Sequence, residues 1–333
     1  METSLTRYRD TFRKQMLEFL WRQWSALGVA GSGDNHEARV IDPEALLLFS
    51  TVTARHDPRL FDEILDWLQI NGAWINIQRL ARLQKVHDLA EPSLLAAIAG
   101  HVSHQADQKK WKNLTRKAEP LPEPRPLFTD LPVLRARDEI FLRWGWERNK
   151  PQTRGMSQFP PTDRPATFLF KLRALFGCQS RADIIGWLLI RGSGHPAAIA
   201  RELGYFRGSV QAVLNDLSKS GHIRSMRVGR EKHFSIEPEE WRFLITWPEP
   251  KNFPQWENWI GCFTLLENAA NVVNRADLEQ LSADVQAIEI KQALDPQVLA
   301  RTTHATPGGL PATHLKDEAY LAASVSFLND LTL

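Results

Sequence analysis

The stretch from His195 to Ile236 constrains this chain more than any other, because its glycines and its one proline leave few ways to fold it. Pro196 stands where a first helical residue loses nothing by lacking an N–H, and Ile199, Ala200 and Leu203 follow on one face. Gly204 ends that helix where a left-handed residue lets the chain turn sharply. After Tyr205-Phe206-Arg207, the residues Val210, Val213, Leu214 and Leu217 form the buried side of a further helix that stops at Gly221. Its other side carries Ser209, Gln211, Ala212, Asn215 and Lys219. From His222 to Ile236 the sequence alternates about a turn at Gly229, with Ile223 and Phe234 as strand anchors, which predicts a β-hairpin. Upstream, Ser180 followed by Asp183 has the form of a capping box opening a helix to Arg191.

Charge singles out the same stretch. The whole chain has a formal net charge of only +2 over 333 residues, so it is not a general polycation. Between His195 and Ser235, however, Arg201, Arg207, Lys219, Arg224, Arg227, Arg230 and Lys232 face only Glu202, Asp216 and Glu231. A helix that is apolar on one side and small or polar on the other, next to a basic hairpin, suits contact with a major groove and its phosphates. Arg207 and Gln211 are the candidates for reading bases, and Arg227, Arg230 and Lys232 for holding phosphates. Ser209, Asn215, Lys219 and Arg224 complete the candidate DNA-binding set.

This segment resembles the winged-helix domain of bacterial MarR/ArsR-type transcriptional regulators. The resemblance rests on Ile199-Ala-Arg-Glu-Leu-Gly204, Ser209-Val-Gln-Ala-Val-Leu-Asn-Asp-Leu217, Gly221-His-Ile223 and the turn at Gly229, in that order. It departs at Phe206, where such domains often place a Ser or Thr to cap the helix. The resemblance covers only this central segment and implies a winged helix-turn-helix, three helices plus a β-hairpin wing, that binds double-stranded DNA, usually as a homodimer. With the helical flanks, the expectation is a mainly α, multidomain protein that regulates transcription, as a repressor, by sequence-specific binding. A second class fits the same residues: a protein-interaction module, such as the antitoxin of a toxin–antitoxin or phage-defence pair, whose flanking helices hold a protein partner.

The flanks read as helical. Residues 1–118 form an expected helical domain, with start signals at Asp42-Pro43 and Asp57-Pro58. Residues 119–165, with Glu119-Pro-Leu-Pro-Glu-Pro-Arg-Pro126, read as a proline-rich linker containing a helix from Leu134 to Trp146. The winged helix is expected over 166–237, a Trp-rich helical region over 238–300, and a flexible linker with a last helix over 301–333.

Other chemistries find little footing. Cys178 and Cys262 are the only cysteines, too few for a disulfide framework or a zinc ribbon, and they fit a cytoplasmic location. His101, His104 and Asp107 have helical spacing but no fourth ligand nearby, so no metal and no cofactor are expected. Gly192-Ser-Gly194 and Gly31-Ser-Gly33 lack the Lys-Ser/Thr of a phosphate loop, and no Gly-x-Ser-x-Gly or His-Glu-x-x-His occurs, so no enzyme is expected. No apolar run approaches the ~18–20 residues of a membrane span.

Overall fold

The N-terminal helices begin at the capping pairs that the sequence puts there. The computed structural model describes residues 4–31, 39–105, 109–116, 118–128, 131, 136–247, 252–294 and 323. Helix α1 is Ser4–Ala26 and α2 is Pro43–Thr53, the latter opened by Asp42, whose carboxylate accepts from Ala45 N. Asp57 does the same for α3, Pro58–Asn71, through Leu60 N, and Asn76 for α4, Ile77–His87, through Arg79 N. Helix α5 is Pro92–Gln105 and α6 is Lys112–Thr115, with a 3-10 turn at Lys109–Trp111 before it.

The proline-rich run Glu119–Pro126 is largely exposed, as its prolines suggest, but the residues that follow it dock on the N-terminal core. Strand β1, Arg125–Pro126, pairs in parallel with β2, Trp146–Glu147, and helix α7, Glu139–Leu142, lies between them. The expected helix over Leu134–Trp146 is therefore cut short. Asp138 caps α7 by accepting from Ile140 N and Phe141 N, and Gly145, at φ +83°, turns the chain into β2. Leu127, Phe128, Phe141 and Trp146 are buried in the N-terminal core. Arg148 pairs with Asp62 while lying over the rings of Phe61, Phe128 and Phe141, and Asp66 accepts from the backbone of Gly155 and Ser157. The prolines keep the strap extended, and its apolar and charged side chains dock it.

The central segment follows its glycines. Helices α8, Phe168–Phe176, and α9, Ser180–Arg191, lead into strand β3, Ser193–Gly194. Helix α10, Pro196–Leu203, ends in Gly204 at φ +70°, and α11 is Arg207–Lys219. Strands β4, Ile223–Val228, and β5, Glu231–Ile236, form the expected hairpin. Strand β3 joins it, giving an antiparallel sheet of order β3-β5-β4. The capping box does not form. Gln179, without a side-chain bond, is the N-cap of α9, and Asp183 is buried, held by Arg173 and Tyr205.

The Trp-rich region divides between two cores. Trp241, Trp247 and Trp256 pack with α8–α11 and the sheet. Helix α12, Trp259–Val273, returns to the N-terminal core, where Phe263 stacks on Phe49 at 4.6 Å. Within the expected helical region over 238–300, residues 238–244 and 276–280 form 3-10 turns, and α13 is Ala283–Ala293. The described residues are mainly helical, and no helix among them is long and apolar enough to cross a membrane. The expected flexible linker and last helix over 301–333 lie outside the described residues, residue 323 apart.

A buried ionic node joins the two cores. Arg79 of α4 pairs with Asp42 and, at 2.6 Å, with Glu44. Arg173 of α8 reaches Glu44 at 2.7 Å and Asp183 of α9 at 3.0 Å. Arg79 Nε also donates to Leu203 O at 2.7 Å, satisfying a carbonyl left open at the end of α10. Tyr205 donates its hydroxyl to Asp183 at 2.7 Å and accepts from Asn76 Nδ2 at 3.0 Å. Burial works against ionisation of Asp42, but the charge and hydrogen bonds of Arg79 outweigh it and hold the carboxyl below its ordinary value.

Removing one partner from a buried ion pair leaves an uncompensated charge. Glu44→Gln strands part of two guanidinium groups and lowers the unfolding free energy by about 3–5 kcal/mol in urea denaturation. Glu91→Gln, which loosens an exposed pair with Arg125 and a half-buried one with Arg55, changes it by about 0–1 kcal/mol. Equal losses would contradict a node that holds the cores together.

Acid destabilises the fold through two histidines and is opposed by Glu267, whose carboxyl is pushed up to about 7 by burial, with Asp88 and Glu91 nearby. Burial lowers His87 and His101 from 6.5 to about 4, with Arg79 and Arg82 adding to the effect at His87. The unfolded chain binds these protons below pH 6.5, the folded chain only near pH 4, so stability falls as pH drops through that window. The melting temperature declines from pH 6.5 toward pH 4, and His87→Gln makes the decline shallower. An unchanged slope in the variant would contradict this assignment.

Candidate nucleic-acid interface

Helix α11 shows its polar side to solvent because its apolar side is fully used. Val210, Leu214 and Leu217 are buried against α9, α10 and the sheet, while Arg207, Ser209, Ala212, Asp216 and Lys219 are exposed. Phe206 is the N-cap and supplies no capping bond, so the departure from a Ser or Thr there leaves the first-turn N–H groups without a side-chain acceptor. The Phe206 ring is instead covered by the guanidinium of Arg82, at 3.8 Å.

The hairpin sorts its basic residues by strand parity. Ile223, Ser225 and Arg227 of β4 stand opposite Ile236, Phe234 and Lys232 of β5. Side chains alternate between faces, so Arg227 and Lys232 continue the face that Ile223, Phe234 and Ile236 bury at its base. Arg224 lies on the opposite face, 3.5 Å from Glu237 and 3.6 Å from Glu240. Gly229 and Arg230 form the two-residue loop. Positive φ is confined to Gly229, at +64°, the pattern of a type II′ turn, which projects Arg230 from the tip.

The exposed sides of helix and hairpin meet. Lys232 Nζ donates to Asn215 Oδ1 at 3.2 Å, and Gln211 Nε2 donates to the same oxygen at 3.2 Å. Of the nine candidate residues, Gln211, Asn215 and Lys232 thus form one chain of contacts. Arg207, one turn before Gln211, extends this surface along the helix, and Arg227 and Arg230 extend it along the hairpin, whereas exposed Ser209 lies on the other edge of α11, beside Arg82 and Phe206. Lys219, 3.3 Å from exposed Asp216, sits at the far end of α11, and Arg224 is outside the surface. Arg227 and Lys232 are like charges placed directly opposite each other, a pairing that destabilises a hairpin unless an anion lies between them.

The other candidate chemistries do not assemble. Among the described residues no three His, Cys, Asp or Glu side chains are grouped to hold a metal ion, and Asp107 lies outside those residues. His101 Nε2 is 2.7 Å from Gln69 Nε2 inside the N-terminal core. Cys178 donates its thiol to Trp74 O, and burial pushes that thiol up to about 11, so it is not a reactive thiolate at neutral pH.

No family model matches the chain, and no curated protein or solved structure matches it either. The interface therefore stands on its own geometry. Arg227→Thr removes the repulsion with Lys232 and raises stability by about 0.2–1 kcal/mol at low salt, read by chemical denaturation. The gain shrinks as salt screens the pair. A loss of stability would show that Arg227 has a folding role instead.

Proposed function

We propose that the chain is a winged helix-turn-helix regulator of transcription, a cytoplasmic repressor that binds a specific duplex DNA sequence without catalysing a reaction. The carrying observation is the basic and polar surface running from Arg207, through Gln211, Asn215 and Lys232, to Arg227 and Arg230. In this reading α11 is the recognition helix and enters the major groove by its first two turns, where Arg207, Ser209 and Gln211 reach base edges. Asn215 is held between Gln211 and Lys232 and orders both side chains. The β4–β5 hairpin is the wing. Its Arg227, Arg230 and Lys232 take phosphates, and a phosphate between Arg227 and Lys232 relieves their repulsion.

Arg224 leaves the proposed contact set because Glu237 and Glu240 already meet its charge. The resemblance to MarR/ArsR-type regulators favours a homodimer, whose two recognition helices would lie about 34–36 Å apart on a pseudo-palindromic site. The test is the affinity of the full chain for its own upstream DNA across a salt series. The double variant Arg227→Ala, Arg230→Ala flattens the log–log slope by about two units, since each phosphate contact contributes close to one. Arg224→Ala leaves the slope unchanged. An affinity indifferent to salt and to the double change overturns the proposal.

A further inference from the structure

The N-terminal unit carries a basic face that the proposed contacts leave unused. On α4, Leu80 and Leu83 are buried, while Lys85 is exposed and Arg82 is half-exposed one turn before it. The 3-10 turn and α6 beside it expose Lys109 and Lys112. Neither 77–87 nor 109–116 contains a carboxylate. Lys110 is not part of this surface, because its ammonium donates to Ala73 O and Ile75 O.

This face adjoins the start of α11. Gln78 and Arg82, with Asn113, line one side of a groove of about 450 Å³, and Phe206 and Ser209 line the other. Arg82 Nε has no hydrogen-bond partner among the described residues, and its guanidinium lies on Phe206 at the lip of that groove. The placement is fixed. The Arg79 node ties α4 to Leu203 O, and Leu83 packs so close to Gly204 that a Cβ there would come within 2.4 Å of it.

We propose that Arg82, Lys85, Lys109 and Lys112 form a second phosphate-binding surface. It holds the backbone of the same duplex where that backbone leaves the groove entered by α11. The inference rests on the reading of α11 and the hairpin as a DNA-binding winged helix, and it assigns the N-terminal unit a direct share in DNA contact. Four further cations along the duplex steepen the salt dependence by up to about 3–4 units of log–log slope, near 0.9 per phosphate. They also lengthen the duplex needed for full affinity.

The test uses the full chain and duplexes of its own upstream DNA, one long and one trimmed to the segment that the winged helix covers. The triple variant Arg82→Ala, Lys85→Ala, Lys112→Ala is compared with wild type and with Arg227→Ala, Arg230→Ala. On the long duplex the triple variant loses about two to three units of slope and at least tenfold in affinity. On the trimmed duplex it binds like wild type. If the triple variant matches wild type on both duplexes while the hairpin variant is impaired, the second surface is overturned and the winged-helix reading stands. If the hairpin variant matches wild type, the reading beneath the inference fails. Stronger binding to single-stranded RNA than to the long duplex would also overturn the inference. Should the triple change unfold the chain, exposed Lys112→Glu makes the same comparison, with at least a threefold loss expected on the long duplex alone.

Discussion

Five buried charges decide how this chain is put together. Arg79 and Arg173 each bridge carboxylates, Glu44 is shared between them, and all three side chains are at most 1% exposed. Such a cluster contributes little net stability compared with apolar packing, but it does not tolerate a missing partner or a shifted one. It therefore acts as a registration device. Asp42 caps α2 and holds Arg79, and Arg79 caps α10 from another part of the sequence. Asp183 fixes Arg173 and the hydroxyl of Tyr205, in the turn that delivers α11. The orientation of the proposed recognition helix is thus set from behind by the N-terminal helices.

How much of this was legible follows from what each residue had to do. The three helices and hairpin over 180–236 were readable because Pro196, Gly204, Gly221 and Gly229 act locally, through dihedral angles that neighbours scarcely alter. Asp42 and Asp57 were readable as caps for the same reason. Asp183 was misread because its spacing from Ser180 is that of a capping box, whereas its true partner, Arg173, is a residue whose charge gives no local sign of burial. In the strap over 119–165 the exposed run Glu119–Pro126 was legible, but the docking of Leu127, Phe128, Phe141 and Trp146 was not, because proline reports backbone shape and not what packs beside it. The strap's docking depends on Asp62 and Asp66, far away in sequence.

The candidate surface was half legible. Composition marked the basic island, yet it could not separate Arg224 from Arg227. Strand register does so, because a period of two puts them on opposite faces. The basic face of α4 and α6 escaped notice because each run is short and the two are brought together only by the fold. The acid-free runs 77–87 and 109–116 were the signal available.

The proposed winged helix requires α11 and the β4–β5 hairpin to hold duplex DNA as one surface. Hydrogen–deuterium exchange of the full chain, with and without its own upstream duplex, tests it most directly. Added protection is expected in the first two turns of α11 and at the hairpin tip, with the amides around Trp67 and Phe263 in the N-terminal core unchanged. Protection elsewhere, with α11 and the hairpin exchanging as in the free protein, would contradict it.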